Sequence, residues 1–416
     1  MKGKKMDTRD IVGRAKRYYQ KNGLKKTMKR MVSKPEPPKN QFLVFWNFIV
    51  NQDKIPFSQD DYAKNKDGQK IINWIVPEFE NGSGGHTTIF RFISALEQRG
   101  IHNRIYVYRP VNMTEQSLHD LLKNHFQLLD SRVESFCGVE NIKFAHATVA
   151  TSWITAYYVR NFNNTISKFY FIQDFEPYFY AHGSEYSFAE NTYKFGFRGI
   201  TAGDWLKNIA IEKYGMEATS FSFSYDKKTY KPVPKKSSRP TVFFYARPVT
   251  PRRDWELGML ALGELSKRIP DLEVILAGWD VGYYEIPFAH RNMGVVSREM
   301  LADLYNQSDL CLVISSTNLS LVPLEVMGCG KLAVCSNGEN STWLVNEENS
   351  AMVEFEPMEI ADTLEYYLTH PEILAQKSRK GLEFASATSW ENEYEKVYKA
   401  FTEGIAEDEK KLLMEK

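Results

Sequence analysis

The feature that most restricts how this chain can fold is an alternation that occurs twice along it. Short apolar runs with the look of strands are each followed by a longer stretch of helical periodicity. Such alternation predicts parallel strands joined by helical crossovers and argues against a β-sandwich, whose short strands would follow one another through turns. In the first round, Ile71, Ile72, Trp74, Ile75 and Val76 predict a strand, residues 87–99 a helix and 104–108 the next strand. Further strands are predicted at 144–150, 169–172 and 199–202, and helices at 153–160 and 205–214. The segment 231–240, with Pro232, Pro234, Ser237, Ser238 and Pro240 among lysines, has no apolar period and reads as a linker. Beyond it the scheme restarts with strands at 241–245, 273–277, 310–314 and 332–335 and helices at 255–268, at 298–306 and from about Val322. A length of 416 residues also exceeds what one hydrophobic core usually supports. The expected architecture is therefore α/β, with two doubly wound domains. A basic arm occupies 1–40, a first domain 41–232 and a second 233–388. A charged, helix-prone segment, 389–416, is expected to run back across the first domain.

Composition narrows the class further. Apolar runs such as Cys311, Leu312, Val313 and Ile314 are far shorter than the roughly 18 to 20 residues that span a bilayer. The first residues lead into no apolar signal core, so neither a secretion signal nor a membrane span is expected. Cys137, Cys311, Cys329 and Cys335 follow no paired spacing and sit in or beside strand-like runs, which suits buried thiols in a reduced compartment. The net charge of +1 hides an asymmetry, because residues 1–34 carry 13 Lys/Arg against 2 Asp and leave the remainder near −10. Ile11, Ala15, Tyr18, Tyr19, Leu24, Met28, Met31 and Val32 recur there at near-helical spacing. The segment reads equally as a basic amphipathic helix on a membrane surface and as a solvated arm. Nucleic-acid binding is the weaker option, since Tyr18 and Tyr19 stand together instead of interleaving.

Three segments carry chemistry. Gly82, Gly84, Gly85, His86 and Thr87 lie between a predicted strand and a predicted helix, where backbone N–H groups and the helix dipole can hold a phosphate. A dinucleotide fingerprint would need glycine where Thr87 stands and an acid after the second strand, where Tyr108 and Arg109 stand instead. A structural turn is the alternative. Arg247, Arg252 and Arg253 directly follow a predicted strand, at the edge where α/β sheets bind ligands. Their guanidinium forks suit a diphosphate, and ordinary surface arginines are the alternative. Thr317, Ser320, Leu321, Pro323 and Glu325 again follow a strand and open a helix. Amides near Ser320 and Leu321 fit a diphosphate, and Glu325 fits ribose hydroxyls or simply balances the helix dipole. No Asp-x-Asp pair or His/Cys cluster stands in a comparable loop, so neither metal nor other cofactor is expected. Residues 157–197 hold 15 aromatics in 41 positions. Most should be core, with Tyr178, Phe179 and Tyr180 the best candidates for stacking on sugar faces.

These residues resemble the GT-B retaining glycosyltransferases. The resemblance rests on Arg247 with Arg252, on the span from Thr317 to Glu325 followed by Val326, Met327, Gly328, Cys329 and Gly330, and on Asp226, Tyr230 and Pro232 before the linker. More narrowly, Trp74 to Pro77, Gly84 to Arg91, Gln173 to Pro177 and Ala246 to Pro248 look like the WsaF-type rhamnosyltransferases of bacterial surface-glycan synthesis, over roughly 70–385. The resemblance implies two Rossmann-like domains facing across a cleft. It implies transfer of L-rhamnose from dTDP-β-L-rhamnose, without a metal, to a rhamnose-containing, lipid-linked acceptor at the cytoplasmic face of the membrane. It implies a donor held by Gly84, Gly85, Arg247, Arg252, Thr317, Ser320, Leu321 and Glu325, with the base near Val295. Cations there would stabilise the departing diphosphate most in the transition state. His86 and Asp174 join the two arginines as catalytic candidates, Asp174 as a group that orients or deprotonates an acceptor hydroxyl. A turn aspartate is the alternative for it. Gln173, Tyr178 and Phe179 are expected at the acceptor. One departure stands out: where the family carries the first glutamate of its E-x7-E element, this chain carries Thr317. Another GT-B enzyme using a UDP-sugar, as transferase or 2-epimerase, and a membrane- or nucleic-acid-binding protein working through the arm are the competing readings.

Overall fold

The computed structural model describes residues 42–414 apart from 127; the basic segment within 1–41 lies outside the described residues. Two parallel sheets follow one another along the chain. The first contains β1 (Ile71–Pro77), β2 (His102–Tyr108), β3 (Glu134–Cys137), β4 (Ala145–Ala150), β5 (Thr165–Ile172), β6 (Arg198–Ala202) and β7 (Ala218–Phe221), in the order β3-β2-β1-β4-β5-β6-β7. The second contains β8 (Thr241–Tyr245), β9 (Glu273–Ala277), β10 (His290–Gly294), β11 (Leu310–Val313), β12 (Leu332–Ser336) and β13 (Ala351–Val353), in the order β10-β9-β8-β11-β12-β13. Both have a Rossmann-like winding, with the direction of winding reversing between β1 and β4 in one and between β8 and β11 in the other. The central strands are buried almost throughout, as sheets covered on both faces require. The sheets belong to one compact unit, Gln52–Lys416.

The alternation read from the sequence locates the central strands to within a few residues, and several helices as well. The departures have local causes. Helix α1 (Gly84–Gln98) starts three residues before the predicted 87: Ser83 is the extended N-cap, without a side-chain cap bond, and the Thr87 amide already bonds the Ser83 carbonyl at 3.0 Å. Gly84, Gly85 and His86 are thus the first turn of a helix and not a free loop. Helix α2 (Trp153–Asn161) has a capping box at Ser152 and Thr155. The predicted helix at 205–214 is instead a short α-helix, Asp204–Asn208, continued by a π-turn over Ile209–Lys213. Strands β3, β7, β10 and β13 escaped prediction. They are the sheet edges, all short, and polar in cases such as His290–Gly294, while Ala351–Val353 is apolar but only three residues long.

In the second half, α3 (Trp255–Arg268), α4 (Arg298–Gln307), α5 (Val322–Gly328) and α6 (Pro371–Ala387) cover the sheet. The last helix, α7 (Trp390–Met414), returns to the first sheet. Its Phe401 ring meets Trp74 at 5.6 Å and Phe169 at 4.7 Å. Gly404 comes so close that a Cβ there would stand 2.9 Å from both Phe169 and Arg198. Arg198 then pairs with Asp408 at 2.7 Å. Most of the 157–197 aromatics are core: Tyr157, Phe162, Phe169, Tyr170, Phe171, Phe175, Tyr193 and Phe197 are buried, while Tyr178 is half exposed. Among the described residues no helix is long and apolar enough to cross a membrane.

Candidate active site

Both reversal points carry the segments singled out from the sequence. At the first, β1 ends at Pro77 and α1 opens with Gly84, Gly85 and His86. The His86 ring stacks on Phe79 at 4.6 Å, and its Nδ1 lies 2.7 Å from the Ser83 hydroxyl. Burial pushes its pKa down to about 4 against the pull of the Pro77 backbone, so the ring is neutral at pH 7. A Cβ at Gly85 would meet the Gln173 amide at 3.4 Å, whereas nothing lies within 4 Å of one at Gly84.

At the second reversal point, Arg247 and Arg252 follow β8, and Thr317 to Glu325 follow its hydrogen-bonded neighbour β11. The two arginines and Glu325 therefore share one sheet edge. Arg247 Nη1 approaches the Tyr245 hydroxyl at 3.5 Å, and Arg252 stacks its guanidinium 4.0 Å above the Phe179 ring. The Nε atoms of both are buried without a hydrogen bond. Val295, just past β10, is largely exposed. Ser320 adopts φ 63° and donates its amide to the Asn318 side chain at 2.7 Å. Asp254 adopts φ 50° and accepts from the Ser316 hydroxyl at 2.7 Å. Non-glycine residues rarely hold positive φ, and such strain collects where a loop must be fixed for a ligand. Glu325 lies in the first turn of α5, where burial pushes its carboxyl up to about 7 against the pull of the Tyr230 and Tyr305 hydroxyls.

Asp174, just past β5, joins the two halves. Its Oδ2 accepts from the Thr317 hydroxyl at 2.8 Å, and its Oδ1 accepts from the amides of Phe175 at 2.9 Å and Asn318 at 3.3 Å. The Arg252 Nε lies 3.7 Å away. Asn318 returns a bond from its side chain to the Gln173 carbonyl at 3.0 Å, and Arg253 holds the Asn318 carbonyl at 2.8 Å. Burial raises the Asp174 pKa while Arg252 and Arg253 oppose the rise. Of the two alternatives for Asp174, proton transfer or a structural turn, the geometry displays contacts that suit a third: both oxygens are engaged in tying one domain to the other. The Thr317 hydroxyl spends itself on this bond. Behind it, Asn340 holds the Ser315 carbonyl at 3.1 Å, and Trp343 packs so tightly on Gly203 that a Cβ there would come within 2.4 Å of the ring. Nearby Glu176 is buried, accepts from the Trp153 amide at 2.6 Å and is pushed up to about 8 by burial.

Every residue expected at the donor except Val295 thus lies on one of the two reversal-point segments, with Asp174 and Gln173 between them. Phe179 sits under Arg252, and Tyr178 faces solvent beside Phe175. Sequence reasoning overlooked Asn318, Tyr305 and Asn340, which act through hydrogen bonds between segments apart in the chain. Arg253, named there as the third arginine of its run, turns to the Asn318 carbonyl. Among the described residues no group of three or more His, Cys, Asp or Glu side chains could hold a metal ion.

Comparison with known proteins places the chain in a family. Residues 71–202 match the WsaF N-terminal domain and residues 240–365 the WsaF C-terminal domain. The chain belongs to the WsaF family. This WsaF-family chain is also 30% identical over 351 residues to the O-antigen biosynthesis protein RfbC of Myxococcus xanthus, an alignment covering 79% of the chain but only 27% of RfbC. Among solved structures it resembles sucrose-phosphate synthase from Thermosynechococcus elongatus, with a TM-score of 0.61 at 14% identity over 81% of this chain and 100% of that one. It also resembles HepE of Anabaena in complex with UDP and glucose, with a TM-score of 0.59 at 15% identity over 81% of this chain and 98% of that one. The fold is GT-B.

Proposed function

We propose that this WsaF-family chain is a rhamnosyltransferase, moving L-rhamnose from dTDP-β-L-rhamnose to a rhamnose-containing, lipid-linked glycan in cell-surface polysaccharide synthesis. One observation carries the reading: Arg247 and Arg252 each bury an Nε that makes no hydrogen bond, both at the second winding reversal, where α/β sheets take ligands. The two arginines fit the pyrophosphate, with the Leu321 amide beside them and Glu325 toward the ribose. Neutral His86 fits a sugar hydroxyl. The acceptor oxygen bonds the anomeric carbon as the bond to the leaving phosphate breaks, and a phosphate oxygen takes the acceptor's proton on the same face, so configuration is retained and no metal is needed. Asp174 then acts as a positioning residue that holds Thr317, Asn318 and Arg252 in register. Tyr178 lines the acceptor side, whereas Phe179 supports Arg252. The enzyme works at the cytoplasmic face of the membrane, which the basic segment 1–40 touches.

A thermal-shift screen of nucleotide-sugars tests this, since a ligand that binds only the folded chain raises its melting temperature. The dTDP-rhamnose donor should raise it most. A larger rise with UDP-sugars would favour the other donor class, for which HepE offers the structural precedent, and no rise with any activated sugar would overturn the proposal.

A further inference from the structure

The helix Phe42–Val50 has the sequence Phe-Leu-Val-Phe-Trp-Asn-Phe-Ile-Val, in which only Asn47 is polar; Trp46, Phe48 and Ile49 are partly covered, and its other residues are exposed. Leu43 is 72% exposed, Val44 69% and Val50 69%. A helix apolar on every face is normally covered, and an exposed cluster of this kind marks a surface that something else occupies. At nine residues it measures about 14 Å, roughly half the hydrocarbon thickness of a bilayer, so it can lie within a membrane interface but cannot span one.

Charge identifies the occupant. The 34 residues at the start of the sequence carry 13 Lys/Arg and 2 Asp, and they precede this helix by only a few positions. A second copy of the chain would bring an equally basic segment against the first, which repulsion disfavours. A nucleic acid would answer the charge but offers no apolar surface to cover Leu43, Val44 and Val50. A bilayer containing anionic lipid answers both, with headgroups for the lysines and acyl chains for the helix. We infer that Phe42–Val50 is an interfacial anchor that inserts into the headgroup and acyl boundary of an anionic membrane beside the basic segment. The inference rests on the membrane-side reading above for its setting, and it adds the apolar insertion that a basic segment alone does not supply.

The test is flotation of the full chain with phosphatidylcholine vesicles, with and without phosphatidylglycerol, for the wild type and for the double variant Leu43→Glu, Val44→Glu. Wild type should float with anionic vesicles and not with neutral ones, and the double variant should lose on the order of tenfold in that association. A melting-temperature response to nucleotide-sugar that is the same in both proteins would show the variant folded. Absence of that response in wild type would count against the transferase reading and leave the flotation result standing. Equal flotation of variant and wild type would overturn the anchor. So would a wild-type dimer, seen by sedimentation without vesicles, that the variant abolishes, because the helix would then be an interface between copies. Displacement of wild type from vesicles by duplex DNA together with retained binding of DNA by the variant would assign the segment to nucleic acid and overturn the anchor too.

Discussion

At the carboxyl edge of the first sheet, Asp174 gives both oxygens to groups of the protein itself, Glu176 is buried on the Trp153 amide, and His86 is neutral. At the corresponding edge of the second sheet, Arg247 and Arg252 bury Nε atoms that make no hydrogen bond, that of Arg252 standing 3.7 Å from Asp174, and the positive-φ residues Asp254 and Ser320 flank them. The first edge has consumed or neutralised its charge; the second holds charge in reserve. Such a division suits a donor bound by its diphosphate on one side and a neutral sugar acceptor on the other. It also explains why Phe179, from the first half, serves the second as a platform under Arg252.

The largest effect should come from removing the reserve. Arg252→Ala should lower turnover by about 10² to 10³, the scale of losing one preorganised donor to transition-state charge. Arg252→Lys should recover little, because a point charge cannot replace the planar fork. Steady-state kinetics with the best nucleotide-sugar measures both, and turnover within twofold of wild type in Arg252→Ala would erase the contrast between the edges.

Breaking the tie between the edges comes next. Thr317→Val leaves the buried Asp174 Oδ2 without its donor, which should cost about 1 to 3 kcal/mol of stability, while Thr317→Ser should restore most of it. Asp174→Asn in the same background should give non-additive losses, and chemical denaturation of the four-member cycle reads the coupling. If Asp174 positions Thr317 and Arg252, its loss weakens donor affinity along with turnover. A fall in turnover alone, with donor affinity intact, would return Asp174 to the role of base.

The neutralised carboxylates have a signature of their own. Glu176 and Glu325 have pKa values raised from 4.5 to about 8 and about 7, so between roughly pH 4.5 and those values the folded chain keeps protons that the unfolded chain has released. Stability should therefore fall as pH rises through this window and level off above it, by up to about 1.4 kcal/mol per pH unit for each proton held. Glu176→Gln imitates the protonated acid and can still accept from Trp153. It should be more stable relative to wild type at pH 8 than at pH 5, and an identical difference at both would show that Glu176 is ionised in the fold.

The same contrast decides what could be read from the sequence. Strands β1, β4, β8, β9, β11 and β12 announce themselves because burial on both faces demands continuous apolar runs. Arg247, Arg252 and Glu325 announce themselves because a ligand edge follows such strands in a fixed order. The polar edge strands β3 and β10 carry no apolar run to see. The tie made by Asp174, Thr317 and Asn318 was equally hidden, since it joins positions more than 140 apart in the chain. Thr317 could be seen to depart from its family's glutamate, but its partner could be seen only once both sheets were placed. The charge asymmetry of residues 1–34 is legible as composition, whereas the exposure of Leu43, Val44 and Val50 just after it is visible only in the structure.

The smallest structural effect should belong to Gly84→Ala, and that smallness makes it useful. An added Cβ at Gly84 meets nothing within 4 Å, and alanine favours the helix interior over glycine by up to about 1 kcal/mol, so the variant should be as stable as wild type or slightly more so. Gly85→Ala, whose Cβ would touch Gln173 at 3.4 Å, makes only an ordinary contact. Neither glycine is therefore demanded by packing within the chain. If the opening turn of α1 is left bare so that a donor or acceptor can approach its backbone, Gly84→Ala should raise the KM for a nucleotide-sugar or for the acceptor severalfold while the melting temperature holds. Unchanged kinetics would mean that the first edge meets its ligand elsewhere, through Gln173 and Tyr178, and that the glycines record only how the turn was built.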